Sequence, residues 1–279
     1  MDGFAGKVAV VTGAGSGIGQ ALALELGRSG ASLAISDVDT EGLAKTAEQL
    51  KAIGAPVKVD RLDVTEREAV LAYAEAVNEH FGKVNQIYNN AGIGHTADIE
   101  ICEFKDIDRV MDVDFGGVLN GTKAFLPYLI ASGDGHVINI SSVFGLFSGP
   151  SQAPYCAAKF AVRGLTEALR QEMQLAGHKV GVTTVHPGGI KTNIARNATA
   201  AEGLDAAELA KMFDKRVAHT SPQAAARIIL GAVRKNKARV LVGPDAKFLD
   251  LVVRLTGSAY MRVFGPVIGA QPGLKKAKR

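Results

Sequence analysis

Ser142, Tyr155 and Lys159 are the residues of this chain whose types and spacing suit chemistry. Tyr155 and Lys159 stand four apart in Tyr155-Cys156-Ala157-Ala158-Lys159. On a helix that spacing sets both side chains on one face, a turn from each other. An isolated phenol titrates at about 10, and a neighbouring ammonium favours the phenolate. A tyrosine drawn toward neutrality can take the proton of an alcohol or return it to a ketone. Ser142, thirteen residues upstream of Tyr155, could hold the same oxygen by a hydrogen bond. A Tyr-x-x-x-Lys pair alone equally describes a surface lysine on a helix that buries its tyrosine, so the reading depends on the elements around it.

The chain has 279 residues, 47% hydrophobic and 22% charged. That is an ordinary globular balance, with length for one large or two small domains. No run approaches twenty uncharged apolar residues, so no transmembrane helix is expected. The first residues, Met1 to Lys7, lack the basic start and apolar core of a secretory signal. Cys102 and Cys156 are the only cysteines and give neither a disulfide framework nor a metal quartet; the six histidines are scattered. No metal is expected, and a reducing, cytoplasmic compartment fits best. The net charge of +4 is matched by Lys275, Lys276, Lys278 and Arg279 in the tail. The remainder is near neutral, so no nucleic-acid partner is implied.

The positioning elements follow from apolar periodicity. Val8-Ala9-Val10-Val11 reads as a strand buried on both faces, within Lys7 to Thr12. Thr12-Gly13-Ala14-Gly15-Ser16-Gly17-Ile18-Gly19 follows, then a helical pattern through Leu26. Strand, glycine loop and helix form a cradle in which backbone N–H groups and the helix dipole favour a pyrophosphate. The alternative is a glycine-rich turn without ligand. No Gly-Lys-Ser/Thr follows, which disfavours a nucleoside-triphosphate loop. A second strand, Ser32 to Ser36, ends at Asp37. An acid there accepts hydrogen bonds from the adenosine ribose hydroxyls and repels a 2′-phosphate, pointing to NAD over NADP; the alternative for Asp37 is a helix cap.

A third strand, residues 57–62, leads to Asp63 and Val64. The next helix, residues 66–80, places Val70, Leu71, Ala74 and Val77 on one stripe. A fourth strand, about residues 84–88, ends in Asn89-Asn90-Ala91-Gly92. A long helix over residues 104–129 precedes a strand at 136–140 that delivers Ser141 and Ser142. The Tyr155 helix reaches about residue 176. A buried strand, 180–185, ends in His186-Pro187-Gly188-Gly189-Ile190-Lys191-Thr192. Residues 193–220 read as loop and amphipathic helix, with Leu209, Met212 and Phe213 on its apolar side. A helix at 222–233 and a strand at 239–242 follow. Strands alternating with helices predict an α/β fold: one domain with a doubly wound parallel sheet of about seven strands, flanked by helices, and a ligand crevice at the strands' carboxyl ends.

Four motifs in this order carry a family resemblance: Thr12-Gly-Ala-Gly-Ser-Gly-Ile-Gly19, Asn89-Asn-Ala-Gly92, Ser142 with Tyr155-x-x-x-Lys159, and Pro187-Gly188. In them the chain resembles a single-domain short-chain dehydrogenase/reductase, over about residues 5 to 245. The resemblance implies Tyr155 as general acid/base and Ser142 orienting the substrate oxygen. Lys159 would hold the nicotinamide ribose and lower the Tyr155 pKa. Gly13, Ser16, Gly17, Ile18 and Gly19 would surround the pyrophosphate, with Asp37 on the ribose and Asp63 and Val64 at the adenine. Asn90, Ala91 and Gly92 would line the cleft beside Pro187 and Gly188, with Ile190 and Thr192 at the carboxamide. NAD would carry the hydride between a secondary alcohol and its ketone. A homodimer or homotetramer, paired through the two long central helices, is implied as well. The departure is Asp114, in Val113-Asp114-Phe115-Gly116-Gly117, where the family usually carries an Asn that supports a proton relay to the lysine. An ionised Asp accepts hydrogen bonds but cannot donate. Pairing with Lys159 through water would weaken the lysine's pull on Tyr155 and raise the pH optimum; the alternative is a tolerated variant.

By the same resemblance, Ile93, Gly94, Val143, Phe144, Phe147, Ile190, Met212 and Phe213 are candidate substrate positions. Their apolar character points to a lipophilic alcohol or ketone, although some would be plain core. His95 reads as an exposed loop residue. Residues 245–279 extend the chain with an apolar-rich segment that closes over the pocket, packs in a subunit interface or lies on an anionic membrane surface, the first two favoured. The resulting expectation is an NAD-dependent oxidoreductase for a lipophilic secondary alcohol. The rivals are an NADPH-linked carbonyl reductase, which Asp37 opposes, and a non-catalytic dinucleotide sensor, which the complete Ser142, Tyr155 and Lys159 set opposes.

Overall fold

The apolar runs of the sequence become parallel strands, and the helical patterns between them become crossovers. A computed structural model describes residues 3–262 and 264, apart from the side chains of Ala195, Asp214 and Arg216. Its first half runs β1 (Val8–Thr12), α1 (Gly17–Arg28), β2 (Ser32–Asp37), α2 (Thr40–Ala52), β3 (Val57–Arg61), α3 (Arg67–Phe81), β4 (Gln86–Asn89) and β5 (His95–Thr96). There follow α4 (Phe104–Met111), a π turn (Asp112–Gly116), α5 (Gly117–Ala131), β6 (Gly135–Ile140) and α6 (Ala153–Leu175). The last third holds β7 (Val180–Pro187), α7 (Asn193–Arg196), β8 (Thr199–Ala200), α8 (Ala206–Arg216), α9 (Pro222–Arg234), β9 (Arg239–Val242) and α10 (Pro244–Thr256).

Seven strands form one parallel sheet in the order β3-β2-β1-β4-β6-β7-β9. Numbered within the sheet this is 3-2-1-4-5-6-7, a doubly wound arrangement whose order reverses between β1 and β4. The predicted fold is therefore the observed one. The inner strands β1, β4 and β6 are buried at every residue, as a sheet covered on both faces requires. Alternation along β1 divides the interior in two. Ala9 and Val11 join Leu22 and Leu26 of α1 and Ile229 of α9 in one core. Val10 faces the other way, into a core with Val70 of α3 and Phe125 of α5.

Several local expectations are corrected. Leu71 is 43% exposed, and Tyr73 takes the buried position beside Val70 and Val77. The Tyr73 ring meets Phe125 edge-on at 5.9 Å, so the buried stripe follows the i, i+3, i+7 spacing of a helix. The fourth strand is displaced toward its end, with Asn89 inside it. The long helix is interrupted where its backbone widens into the π turn, closed by the Gly117 N–H on the Asp112 carbonyl. His95 is buried rather than exposed. It pairs with Thr199 in a small second sheet, β5 with β8, and its Nδ1 lies 2.8 Å from Thr199 Oγ1. This sheet draws residues 197–201 over residues 93–97. Met1, Asp2, Val263 and residues 265–279, including the basic tail, lie outside the described residues. Among the described residues no helix is long and apolar enough to cross a membrane, and no cluster of potential ligands could hold a metal.

Candidate active site

Ser142 emerges from the carboxyl end of β6 and caps a short 3₁₀ turn, Val143–Gly145, its Oγ accepting the Phe144 N–H at 3.1 Å. Behind it lies His186 of β7, fully buried. The Ser142 carbonyl can only accept, so the 2.8 Å contact from His186 Nδ1 fixes the proton on that nitrogen. Burial, aided by the charges of Arg239 and Arg163, holds the His186 pKa down to about 4. Sequence reasoning missed this support. The position next to the Pro187-Gly188 motif was its one local signal.

Tyr155 and Lys159 lie on α6, which starts with Pro154 in its first turn, a position where the missing N–H costs nothing. The Ser141 Oγ donates to the Lys159 carbonyl at 2.8 Å, pinning α6 to the end of β6. Lys159 is buried, with Nζ 5.5 Å from the centre of the Tyr155 ring and 3.4 Å from the Ile140 carbonyl. The Ser142 hydroxyl favours the ionised form of the Tyr155 phenol. The structure thus brings Ser142, Tyr155 and Lys159 together.

Asp114 completes the group from the π turn. It is 0% exposed; its Oδ1 accepts the Ile93 N–H at 2.8 Å and lies 3.7 Å from Lys159 Nζ. The two groups stand in direct ionic contact. Oδ2 has no partner. Gly92 makes room: a Cβ there would stand 2.8 Å from Oδ1. Burial pushes the Asp114 pKa up, opposed by the Lys159 charge and the Ile93 N–H. The Tyr155 pKa is also raised rather than lowered, by burial first and by the Asp114 charge second, against the Ser142 hydroxyl. This corrects the expected sign. The lysine's charge is partly cancelled by a carboxylate beside it, and desolvation of the phenolate dominates.

The glycine loop and the Asn90-Ala91 segment, expected to hold a dinucleotide, meet at the switch between β1 and β4. Gly13 has φ +65°, and a Cβ on it would lie 2.8 Å from the Ala91 Cα, so the loop and the Asn90-Ala91 backbone touch only because Gly13 has no side chain. Asn90 ties the same junction, Nδ2 donating to the Thr12 carbonyl at 3.0 Å and the Gly13 carbonyl at 3.2 Å. The Asn90 and Ala91 N–H groups both donate to Thr12 Oγ1. Ser16 precedes α1, and Gly17, Ile18 and Gly19 form its first residues. Asp37 Oδ2 accepts the Gly15 N–H at 2.8 Å, and Oδ1 accepts the Asp39 N–H at 3.0 Å. The cap of α2 is Asp39, which accepts from Gly42; Asp37 stays at the cleft.

Asp63 turns its carboxylate onto Thr65, while the Val64 carbonyl accepts from Asn120. Pro187 ends β7, and the Gly188 N–H donates to the Val242 carbonyl at 2.9 Å. Ile190 pairs with Thr220. Thr192 meets the glycine loop, its Cγ2 3.1 Å from where a Gly17 Cβ would be. The open glycine cradle, with Asp37 at its edge and N–H groups at the start of α1, fits a dinucleotide.

The substrate candidates divide. Phe144 is half-buried, its ring edge-on to Tyr155 at 6.2 Å. Ile93, Gly94, Met212 and Phe213 are also half-buried. Val143 and Phe147 are instead covered, forming a small core with Ala246, Leu249, Val253, Tyr260 and Phe264 of the extension. The extension therefore packs on the turn after Ser142.

With this geometry in place, the comparisons with known proteins become specific. The family model for short chain dehydrogenase matches residues 7–203. The inferred oxidoreductase SadH of Mycobacterium tuberculosis is 62% identical over 263 residues, spanning 94% of this chain and 95% of that protein. The structure of a short-chain dehydrogenase/reductase from Burkholderia phymatum in complex with NAD superposes with a TM-score of 0.86 at 32% identity, covering 95% of this chain and 98% of the other. An alcohol dehydrogenase from Thermococcus sibiricus complexed with 5-hydroxy-NADP matches with a TM-score of 0.71 at 27% identity, over 84% and 95% of the two chains. From its sheet order, its converging Ser142, Tyr155 and Lys159 and these matches, the chain belongs to the short-chain dehydrogenase/reductase family of oxidoreductases.

Proposed function

We propose that this protein is an NAD-linked oxidoreductase that interconverts a lipophilic secondary alcohol and its ketone, with Tyr155 moving the proton. The observation that carries the reading is the meeting of Ser142, from the end of β6, with Tyr155 and Lys159 of α6 around one phenol. The chemistry a bound nicotinamide supplies there is hydride transfer. Ser142 holds the substrate oxygen, and Tyr155 accepts the hydroxyl proton as the alcohol is oxidised and returns it in reduction. Lys159 and Asp114 set the potential at the phenol. The preference for NAD is supported by Asp37, an acid at the end of β2 whose carboxylate would repel a 2′-phosphate. The half-buried apolar surfaces of Ile93, Phe144, Met212 and Phe213 support a lipophilic substrate.

The test is alcohol oxidation across secondary alcohols of rising apolar size, with NAD and NADP in parallel. Turnover is expected with NAD and is expected to grow with apolar size. Tyr155→Phe should cut it by a factor on the order of 10²–10⁴ while NAD binding persists. Turnover with NADP alone would overturn the role given to Asp37, and an active Tyr155→Phe variant would overturn the mechanism.

A further inference from the structure

Asp245 opens α10 and faces back onto the loop after β7. Its Oδ2 accepts the Gly189 N–H at 2.6 Å. A Cβ on Gly188 would stand 2.1 Å from that oxygen, and one on Gly243 would stand 2.3 Å from Oδ1. Two glycines thus leave the carboxylate its space. Gly243 also has φ +105°, the bend by which β9 turns directly into α10 and brings Asp245 round to the loop. Gly189 is gripped from its other side too, because its carbonyl accepts from the His219 N–H at 3.0 Å and the Thr220 N–H at 3.2 Å. Gly189, which follows Pro187-Gly188, is therefore held through both its N–H and its carbonyl.

The far end of the same segment reaches the opposite wall. The Tyr260 hydroxyl accepts the Ser148 N–H at 3.0 Å. Its ring packs on Phe147 at 6.1 Å and on Phe264 at 5.9 Å. Phe147 touches Phe144 at 5.3 Å, and Phe144 stands edge-on to Tyr155. One stretch of chain, residues 244–262, is anchored at its start to the loop between β7 and α7. At its end it is anchored to the turn between Ser142 and α6.

We infer that residues 244–262 form a strut that fixes the spacing of the two walls of the reaction cleft, with Asp245 the positioning residue for the 187–192 loop and Tyr260 for the 143–148 turn. What the first wall holds rests on the dinucleotide reading above; the strut itself rests on the contacts of Asp245 and Tyr260. A helix that merely covered apolar surface would not need a carboxylate hydrogen-bonded to a loop peptide through glycine gaps.

The test compares Asp245→Ala, Asp245→Asn and Tyr260→Phe in the full chain. NAD affinity is read by calorimetry, and backbone amide exchange of residues 187–192 and 143–148 is read without cofactor. Loss of a hydrogen bond to a charged acceptor predicts that Asp245→Ala weakens NAD binding by about tenfold or more. It should also speed exchange in 187–192 while β1 and β6 stay protected. Asp245→Asn keeps an acceptor oxygen and restores most of the affinity. Tyr260→Phe speeds exchange in 143–148 and leaves NAD affinity within about twofold. A fall in melting temperature for Asp245→Ala, with NAD affinity and loop exchange unmoved, would overturn the strut. If the unsubstituted protein fails to bind NAD, the dinucleotide reading falls, and amide exchange alone decides whether the helix holds the loop.

Discussion

Asp114 changes what Tyr155 can do at a given pH. The phenol is raised by burial and by the Asp114 charge, so its deprotonated fraction is small near neutrality. Oxidation of an alcohol needs that fraction as base, and its rate should climb into the alkaline range. Asp114→Asn removes the negative charge 3.7 Å from Lys159 while keeping an oxygen for the Ile93 N–H. The Tyr155 pKa should fall, and the rising limb of the oxidation profile should move to lower pH by about one unit. A pH–rate profile that this substitution leaves in place would assign Asp114 a packing role only.

At the scale of elements, the π turn and α10 do the positioning. The π turn widens the helix between α4 and α5 at the residues that carry Asp114 inward, a common use of such insertions. α10 buries Phe147 from above, leaving it 4% exposed. Phe147→Ala removes the ring that links Phe144 to Tyr260 and Phe264. A fully packed phenylalanine deleted to alanine costs about 3–5 kcal/mol, and the satellite position of this core suggests the lower end. Urea unfolding should register that loss, and exchange should rise in α10 rather than in the central strands.

The whole molecule carries a pH dependence of stability through two buried histidines. His136 and His186 both have pKa values held down to about 4, chiefly by burial, whereas an unfolded histidine titrates at about 6.5. Above that value both states are neutral and the full stability is present. As pH falls from about 6.5 to about 4 the unfolded chain binds protons that the folded one refuses, at about 1.4 kcal/mol per unit for each histidine. Below that the loss is complete. Denaturation at pH 7.5, 6 and 5 should follow this slope, and His136→Gln should make it shallower by about half. The wild-type slope persisting in that variant would place the titration elsewhere.

The local patterns of the sequence determined the fold and the chemical set. Buried strands, the glycine loop, Asp37 and the Tyr155–Lys159 spacing are each written within a few residues, because strand and helix periods are short-range properties of the backbone. Tertiary structure alone decided how charge stands at the site. The Ile93–Asp114, Ser142–His186 and Gly189–Asp245 hydrogen bonds join residues 21, 44 and 56 positions apart. It likewise buried His95 through β5 and β8, hid Val143 and Phe147 under α10, and turned the expected lowering of the Tyr155 pKa into a rise. These outcomes depend on desolvation and on partners that meet only when the crossovers close. No single stretch of chain encodes them.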